Sequence, residues 1–260
     1  MPTQEEINRA KEYILLRLRA ERTAVSTLNT ALLQAARRIV EISRKYNIPP
    51  ENFRFSVNAL LQVEVRNVLT ILKEALYSEV EALDTFKDSK DDEKPFVAPI
   101  LTSKDHDKTF RQRLDKYVSR WGYELEAIIA AAGLAGIKDA KAIEAGIREY
   151  LDRPYENPWV KDNMNKGDAV RLENIPHYGR GVAIASIVAL KTLLTDVVAK
   201  GWMQNWQRLN QNKKGYYVYR GSSFPCEICD AQVGFLHDIN DTMGLPPFHN
   251  YCKCYTVYID

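Results

Sequence analysis

Apolar residues recur at intervals of three and four along the first 86 residues, and this spacing constrains the fold more than any other feature. Residues three or four apart share one face of an α-helix, so each run predicts an amphipathic helix with one buried seam. The first seam consists of Val25, Leu28, Leu32, Ala35, Ile39, Ile42 and Tyr46, and the second of Leu61, Val65, Val68, Leu72, Ala75, Ala82 and Phe86. Upstream of Val25 the apolar spacing continues less regularly, since Lys11 and Glu21 interrupt it.

Local signals indicate where these helices begin and end. Thr3 is an expected N-cap, and Glu6 stands where it can complete a capping box. Two prolines at positions 49 and 50 are expected to end the first helix. The second helix is expected over residues 56–86, and two long helices joined by such a turn predict a helical hairpin, here residues 1–87.

The composition changes after the second helix. Residues 87–94 are mostly charged and lack apolar periodicity, and prolines follow at positions 95 and 99. Such a segment is typical of a solvated connection. We therefore expect a linker over residues 88–108.

Helical spacing resumes at Thr109 and predicts a helical domain over residues 109–214. A first helix with an apolar stripe is expected to be followed by a shorter helix over residues 139–151, a polar loop over 152–173 and a long helix over 180–209. The stripe consists of Phe110, Leu114, Tyr117, Val118, Trp121, Leu125, Ile128 and Ile129.

The last segment, residues 215–260, differs in composition from the helical part of the chain. Residues 215–220 and 254–259 are rich in tyrosine, valine, threonine and isoleucine, which favour strands. We expect them to pair as an antiparallel hairpin. The predicted fold is therefore mainly α: a long helical hairpin plus a helical domain, with a small C-terminal β-hairpin.

All four cysteines of the chain lie in this segment, in two groups. Cys226-x-x-Cys229 is the first group, and Cys252-x-Cys254 is the second, with His249 three residues before Cys252. Tetrahedral structural zinc commonly takes four thiolates, or three thiolates and one imidazole, from paired half-sites. The sequence therefore predicts one structural zinc ion that cross-links the two ends of the hairpin.

Five groups compete for the four positions around this ion. The first choice is Cys226, Cys229, His249 and Cys252, because His-x-x-Cys can wrap a metal within one turn. Cys254 could replace His249 or Cys252, since alternate residues of a strand point to one face. His237, in the intervening segment, is a weaker sixth candidate.

Other uses of clustered cysteines stay open at this point. Two disulfides would suit an oxidising environment, although they are rare in the cytosol. A redox Cys-x-x-Cys usually opens a helix within a βαβ unit, and no such pattern surrounds Cys226. A catalytic zinc site keeps one open position, whereas five candidate ligands indicate a closed site. We therefore expect no enzymatic activity.

Two segments of the C-terminal region form a recognisable signature. They are Phe224-Pro225-Cys226-Glu227-Ile228-Cys229-Asp230-Ala231-Gln232-Val233-Gly234 and Leu245-Pro246-Pro247-Phe248-His249-Asn250-Tyr251-Cys252-Lys253-Cys254. Their order and spacing resemble the C-terminal signature of the Mu F-like minor head proteins of tailed bacteriophages. That family commonly has His-Pro-Asn-Cys-Arg-Cys where this chain has His-Asn-Tyr-Cys-Lys-Cys. The resemblance extends more weakly through the predicted helices of residues 107–209.

The resemblance implies a structural minor capsid protein that acts near the portal in head assembly or DNA passage. It also implies the portal and other phage head proteins as partners, and the virion as location, with the host cytoplasm during assembly. Some relatives carry a fused ADP-ribosyltransferase domain with a Glu-x-Glu motif. Here Glu79-Val80-Glu81 and Glu124-Leu125-Glu126 lie inside predicted helices, where their acids are expected to face solvent.

Charge leaves a second function in competition. The formal net charge is +2, which gives no global bias toward nucleic acid or membrane. Residues 161–225, however, carry ten Lys or Arg against four Asp or Glu, with tryptophan or tyrosine at 202, 206, 216, 217 and 219. Basic and aromatic residues together are typical of single-strand binding. Viral DNA is therefore a further candidate partner, and a zinc-stabilised nucleic-acid-binding protein is the alternative function. A nuclease or toxin fragment is a third.

Membrane association is not expected. The longest apolar run, residues 181–190, is far shorter than the roughly 20 residues that span a bilayer. The first residues are acidic and do not resemble a signal peptide. These features favour a chain that is made in the cytoplasm and kept there or assembled there into something larger.

Overall fold

The computed structural model of the chain describes residues 1–82, 97–105, 107–156, 170–171 and 183–260. Its helices are α1 (Gln4–Lys45), α2 (Ala59–Glu81), α3 (Ala98–Thr102), α4 (Phe110–Leu134), α5 (Ala140–Asp152), α6 (Ser186–Leu209) and α7 (Glu227–Asp230), with a 3-10 turn at Pro50–Asn52. Its strands are β1 (Lys104–Asp105), β2 (Lys108–Thr109), β3 (Val170–Arg171), β4 (Ala183–Ile184), β5 (Gly215–Tyr219), β6 (Leu236–Asp238) and β7 (Tyr255–Ile259). The predicted fold class, mainly helical with a small antiparallel sheet near the C-terminus, is confirmed.

The beginning of α1 has the predicted form, and its end is set by a turn that precedes the prolines. The Glu6 N–H donates to Thr3 Oγ1 at 3.2 Å and the Thr3 N–H donates to Glu6 Oε2 at 2.6 Å, which completes the capping box. At the other end Asn47 has a positive φ of 51°, and the Ile48 N–H donates to the Ser43 carbonyl at 2.9 Å. This arrangement is a Schellman motif, in which asparagine tolerates the left-handed conformation at low cost. It explains why the helix ends just before the prolines.

The described residues divide into two compact units, and both units use parts of α1 and α6. The first unit comprises Met1–Ala24, Val80–Lys104 and Leu194–Asp260, and the second Val25–Glu79 and Asp105–Leu193. This grouping differs from the predicted division at residues 87, 108 and 214. The physical reason is length: α1 has 42 residues and α6 has 24, so each can supply a face to two cores.

An aromatic cluster forms the core of the first unit around Tyr13. The Tyr13 ring stacks on Trp206 with centroids 4.3 Å apart and meets Trp202 edge-on at 5.1 Å. Its hydroxyl donates to the Trp202 carbonyl at 3.1 Å and accepts from Asn205 Nδ2 at 2.8 Å. Trp206 Nε1 in turn donates to the Thr256 carbonyl at 3.0 Å. One buried cluster therefore joins α1, α6 and β7.

The sheet of the first unit has the strand order β6-β5-β7 and is antiparallel. In the β5–β7 pair, Gly215 lies opposite Ile259 and Tyr219 opposite Tyr255. The two predicted strands and their pairing are confirmed. The third strand, β6, was not predicted because three residues are too few to show an alternating pattern.

The second unit contains the helices whose stripes were predicted. All eight residues of the predicted α4 stripe are buried. In the α1 seam the five central residues are buried and the two terminal ones are half-buried. The α5 helix lies where the helix over residues 139–151 was predicted, and its N-cap is Asp139, whose carboxylate accepts from the Ala142 N–H at 2.9 Å.

The seam of α2 differs in register from the prediction. Its buried residues are Leu61, Val65, Leu69, Leu72, Leu76 and Val80. The predicted Val68 is half-buried and the predicted Ala75 and Ala82 are exposed. A residue one position from the seam is rotated by about 100° around the helix, which accounts for the error. Phe86 lies outside the described residues.

Other predicted features fall wholly or partly outside the described residues. These are the charged segment 87–94, most of the predicted loop 152–173 and residues 180–182 of the helix expected from Arg180. That helix begins later than predicted, at Ser186, because Ala183–Ile184 pair with β3 as the strand β4. Among the described helices, none combines the length and hydropathy that a membrane span requires.

Candidate metal centre

The sheet places the two cysteine groups at one end of the first unit. Cys226–Cys229 follows β5 through a short loop, and Cys252–Cys254 directly precedes β7. Since Tyr219, the last residue of β5, pairs with Tyr255, the first residue of β7, both groups leave the sheet at the same end. The convergence expected from the hairpin is therefore present.

The first group is held by a single helical turn, α7. The Asp230 N–H donates to the Cys226 carbonyl at 2.8 Å, and the Cys226 N–H donates to Asp230 Oδ2 at 3.3 Å. Arg220, just after β5, forms an ion pair with Asp230 and donates to the Phe224 carbonyl. These bonds fix the first two thiols relative to the end of β5.

A glycine allows the chain next to the first group to approach the second. A Cβ at Gly221 would lie 1.8 Å from the carbonyl oxygen of Lys253. Any side chain there would separate the two segments, and with them the two groups of cysteines.

The second group is built on a tight turn from His249 to Cys252. The Cys252 N–H donates to the His249 carbonyl at 3.1 Å, and Tyr251 has a positive φ of 61°. The imidazole Nδ1 lies 2.8 Å from the Asn250 carbonyl oxygen. A proton on Nδ1 satisfies this contact and leaves the Nε2 lone pair available to a metal.

The five predicted ligand residues lie together as two triads that share Cys229. His249 Nε2 lies 3.0 Å from Cys229 Sγ and 3.3 Å from Cys226 Sγ, and Cys229 Sγ lies 3.8 Å from Cys252 Sγ. Within each of two triads all ligand atoms lie within 4.8 Å of one another: Cys226, Cys229 and His249, and Cys229, Cys252 and Cys254. Zinc–sulfur bonds of about 2.3 Å give a tetrahedron with sulfur–sulfur edges of roughly 3.8 Å. The cluster therefore has the dimensions of a metal site and could bind a metal ion.

The acidity of the thiols reflects their crowding. All four cysteines are free thiols. A hydrogen bond from the Cys254 thiol lowers the pKa of Cys252 to about 5, and donating that bond raises the pKa of Cys254. Burial, followed by repulsion from Cys252, raises the pKa of Cys229 to about 12. The cluster without a cation thus keeps protons on some of its thiols, and a divalent cation would displace them.

A buried arginine from α1 lies against the second group. Arg17 is 0% exposed, and its Nη2 donates to the Cys252 carbonyl at 2.6 Å and its Nη1 to the Cys254 carbonyl at 3.4 Å. Its Nε forms an ion pair with Glu21 Oε1 at 3.0 Å. Burial lowers the pKa of Arg17, whereas the charges of Glu21 and of both cysteines oppose that change.

Sequence reasoning missed Arg17 and treated Glu21 as an interruption of the apolar seam. The signal was present in the spacing. Arg17 follows Tyr13 by four residues and Ile14 by three, so it lies on the same face as two buried residues. A charged residue on the buried face of a helix needs a partner inside the protein, and Glu21 one turn later supplies it.

His237, the sixth candidate, has a different environment. Its Nδ1 lies 3.0 Å from Asp241 Oδ2 and its Nε2 3.1 Å from the Gln232 carbonyl oxygen. Its ring stacks on Tyr216 with centroids 5.0 Å apart. Both ring nitrogens therefore have protein partners, and His237 braces β6 against β5.

The acids of the second Glu-x-Glu motif do not face solvent, and that prediction was wrong. Glu124 accepts hydrogen bonds from the Tyr150 hydroxyl and from Ser186 Oγ, the latter at 2.7 Å, and burial raises its pKa. Glu126 accepts from the Ser56 N–H and hydroxyl at 2.8 and 2.7 Å. Both are buried because these polar partners compensate the lost water. The acids of the first motif, at 79 and 81, are exposed as expected.

The aromatic residues of the basic segment belong mostly to the core. Trp202, Trp206 and Tyr216 are buried, and Tyr219, which is half-buried, stacks on Tyr255 at 5.7 Å. The three buried rings therefore offer no face on which a base could stack. Residues 161–169 and 172–182 of the basic segment lie outside the described residues.

Comparisons of the chain with family models, curated proteins and solved structures find no match. The likeness to the Mu F-like proteins therefore depends on the residues quoted above and stays a prediction.

Proposed function

We propose that the C-terminal module binds one zinc ion through Cys226, Cys229, His249 and Cys252. The observation that carries this proposal is the chain of contacts of 3.0 to 3.8 Å that links these four side chains. A site of thiolates with one imidazole suits zinc, which prefers such ligands in a tetrahedral arrangement. Cys254 then donates its S–H to the Cys252 thiolate and is the fifth, non-ligating member of the cluster.

The proposed role of the ion is structural. Four protein ligands fill a tetrahedral site and leave no position for a water or a substrate. The backbone bonds around Cys226 and the turn at His249 fix the ligands from both sides of the sheet. We propose accordingly that the protein is not an enzyme.

The biological role that we propose is that of a minor head protein of a tailed phage or prophage. The support is that residues of the family signature build the site itself. The signature cysteines and His249 are the cluster, Asp230 caps the first group, and Gly234 has a φ of 97°, which favours glycine. The portal and other head proteins are the proposed partners, with viral DNA as a further one.

Heads purified from the phage or prophage that encodes this chain should contain it in few copies relative to the major shell protein. The physical reason is that a protein acting near the portal is incorporated at one vertex of the head. Quantitative mass spectrometry of density-purified heads measures this ratio, with an abundant cytoplasmic host protein as the control for contamination. If the chain were no more enriched in heads than that host protein, the proposed role would be wrong.

A further inference from the structure

We infer that Arg17 is a positioning residue of the metal centre, which holds the Cys252–Cys254 backbone in place and compensates the negative charge of the ligands. This inference rests on the proposed zinc site. It concerns a residue far from the cysteines in sequence, on the first helix of the chain.

The first step is geometric. The two terminal nitrogens of Arg17 donate to the carbonyls of Cys252 and Cys254, at 2.6 and 3.4 Å. These carbonyls flank Lys253, so the guanidinium spans the short segment that carries one proposed ligand and its hydrogen-bond donor. Glu21 Oε1 pairs with the third nitrogen of Arg17, Nε, at 3.0 Å. Both terminal nitrogens can therefore donate to the carbonyls. Arginine can do this because its donors form a rigid planar fork.

The second step is electrostatic. A zinc ion with three thiolates and a neutral imidazole carries a net charge of about −1. Cys229 and Cys252 are buried, so part of this charge lies in a region poorly solvated by water. Arg17 is fully buried and keeps its charge at any ordinary pH. The terminal nitrogens of Arg17 face the ligand segment and Glu21 lies on the Nε side, so the ligands meet the positive end of this ion pair, which stabilises the negative charge of the zinc-bound cluster.

The test compares zinc affinity in the full chain for variants that separate charge from hydrogen bonding. Arg17→Gln keeps a donor and removes the charge, and Arg17→Lys keeps the charge. Arg19→Gln is the matched control, since Arg19 is exposed on the same helix. Affinity is measured by competition with a chromophoric chelator, and the ligand geometry is followed by the absorption spectrum of the cobalt-substituted protein.

Outer partners of metal ligands typically change metal affinity about 10- to 100-fold, and we expect a loss in this range for Arg17→Gln. Arg17→Lys should recover most of that loss, and Arg19→Gln should bind zinc as the unmodified chain does. A lysine variant as weak as the glutamine variant would overturn the charge role, since a merely structural contact would not be rescued by charge. If glutamine prevents folding, the lysine variant decides: affinity close to that of the unmodified chain supports the inference, and a tenfold or larger loss overturns it.

The outcomes also separate this inference from the proposal on which it rests. An unmodified chain that binds no zinc would contradict the metal site itself. An unmodified chain that binds zinc, together with an Arg17→Gln variant of equal affinity, would leave the metal site intact and overturn the role of Arg17.

Discussion

Replacing Cys229 with serine should release the metal and unfold the C-terminal sheet, with a larger effect than any other single cysteine substitution. Cys229 is buried and is the one residue common to both ligand triads of the described cluster. Structural zinc contributes an apparent binding free energy on the order of 10–16 kcal/mol in small modules. Trp206 also holds β7 in the aromatic core, so loss of the metal should open the sheet from the end at which the two cysteine groups leave it.

Amide hydrogen exchange measures this expectation directly. In Cys229→Ser the amides of β5, residues 215–219, should lose protection, while those of α4 in the second unit should keep it. Cys226→Ser is the matched comparison, since Cys226 is half-buried and belongs to one triad, and we expect a smaller loss of protection. Unchanged protection of β5 in Cys229→Ser would show that the sheet does not depend on a metal.

Tyr13→Ala should lower the free energy of unfolding of the first unit by roughly 3–5 kcal/mol, the range for removing a large buried aromatic ring. The ring contacts Trp202 and Trp206, and its hydroxyl satisfies the Asn205 amide. Alanine would leave a cavity between α1 and α6 and an unpaired buried donor. Tyr13→Phe removes the hydroxyl alone and should cost about 1–3 kcal/mol.

Urea unfolding followed by tryptophan fluorescence measures this loss, because two of the four tryptophans touch the Tyr13 side chain. Leu15→Ala is the control, since Leu15 lies on the same helix and is 52% exposed, where substitutions usually change stability by less than about 0.5 kcal/mol. If Tyr13→Ala shifted the unfolding midpoint no more than Leu15→Ala, the aromatic cluster would not be the core of the first unit.

Local signals in the sequence predicted the elements that depend on neighbouring residues. The capping box at Thr3 and the stripe of α4 each involve contacts within one or a few helical turns. The paired half-sites were predictable because the spacing of the cysteines reflects the turn that presents them to one ion.

The features that were missed depend on contacts between distant residues. Arg17 meets Cys252 across 235 positions, and Glu124 meets Ser186 across 62. From the sequence, Arg17 and Glu124 are ordinary charged residues of helices. Each can be buried only because folding brings a distant polar partner to it. The predicted helical hairpin, residues 1–87, shows the same limit. Periodicity indicates which face is buried, but not that residues 1–24 belong to the unit that contains the cysteine–histidine cluster.

The central claim is that one zinc ion is held by the cysteine–histidine cluster, and X-ray absorption spectroscopy of the full chain, purified with zinc under reducing conditions, tests it most directly. Elemental analysis of the same sample should give about one zinc per chain. The absorption spectrum should show zinc–sulfur distances of about 2.3 Å with one nitrogen neighbour at about 2.0–2.1 Å. A sample that retains no zinc, or a first shell made mainly of oxygen, would contradict the account.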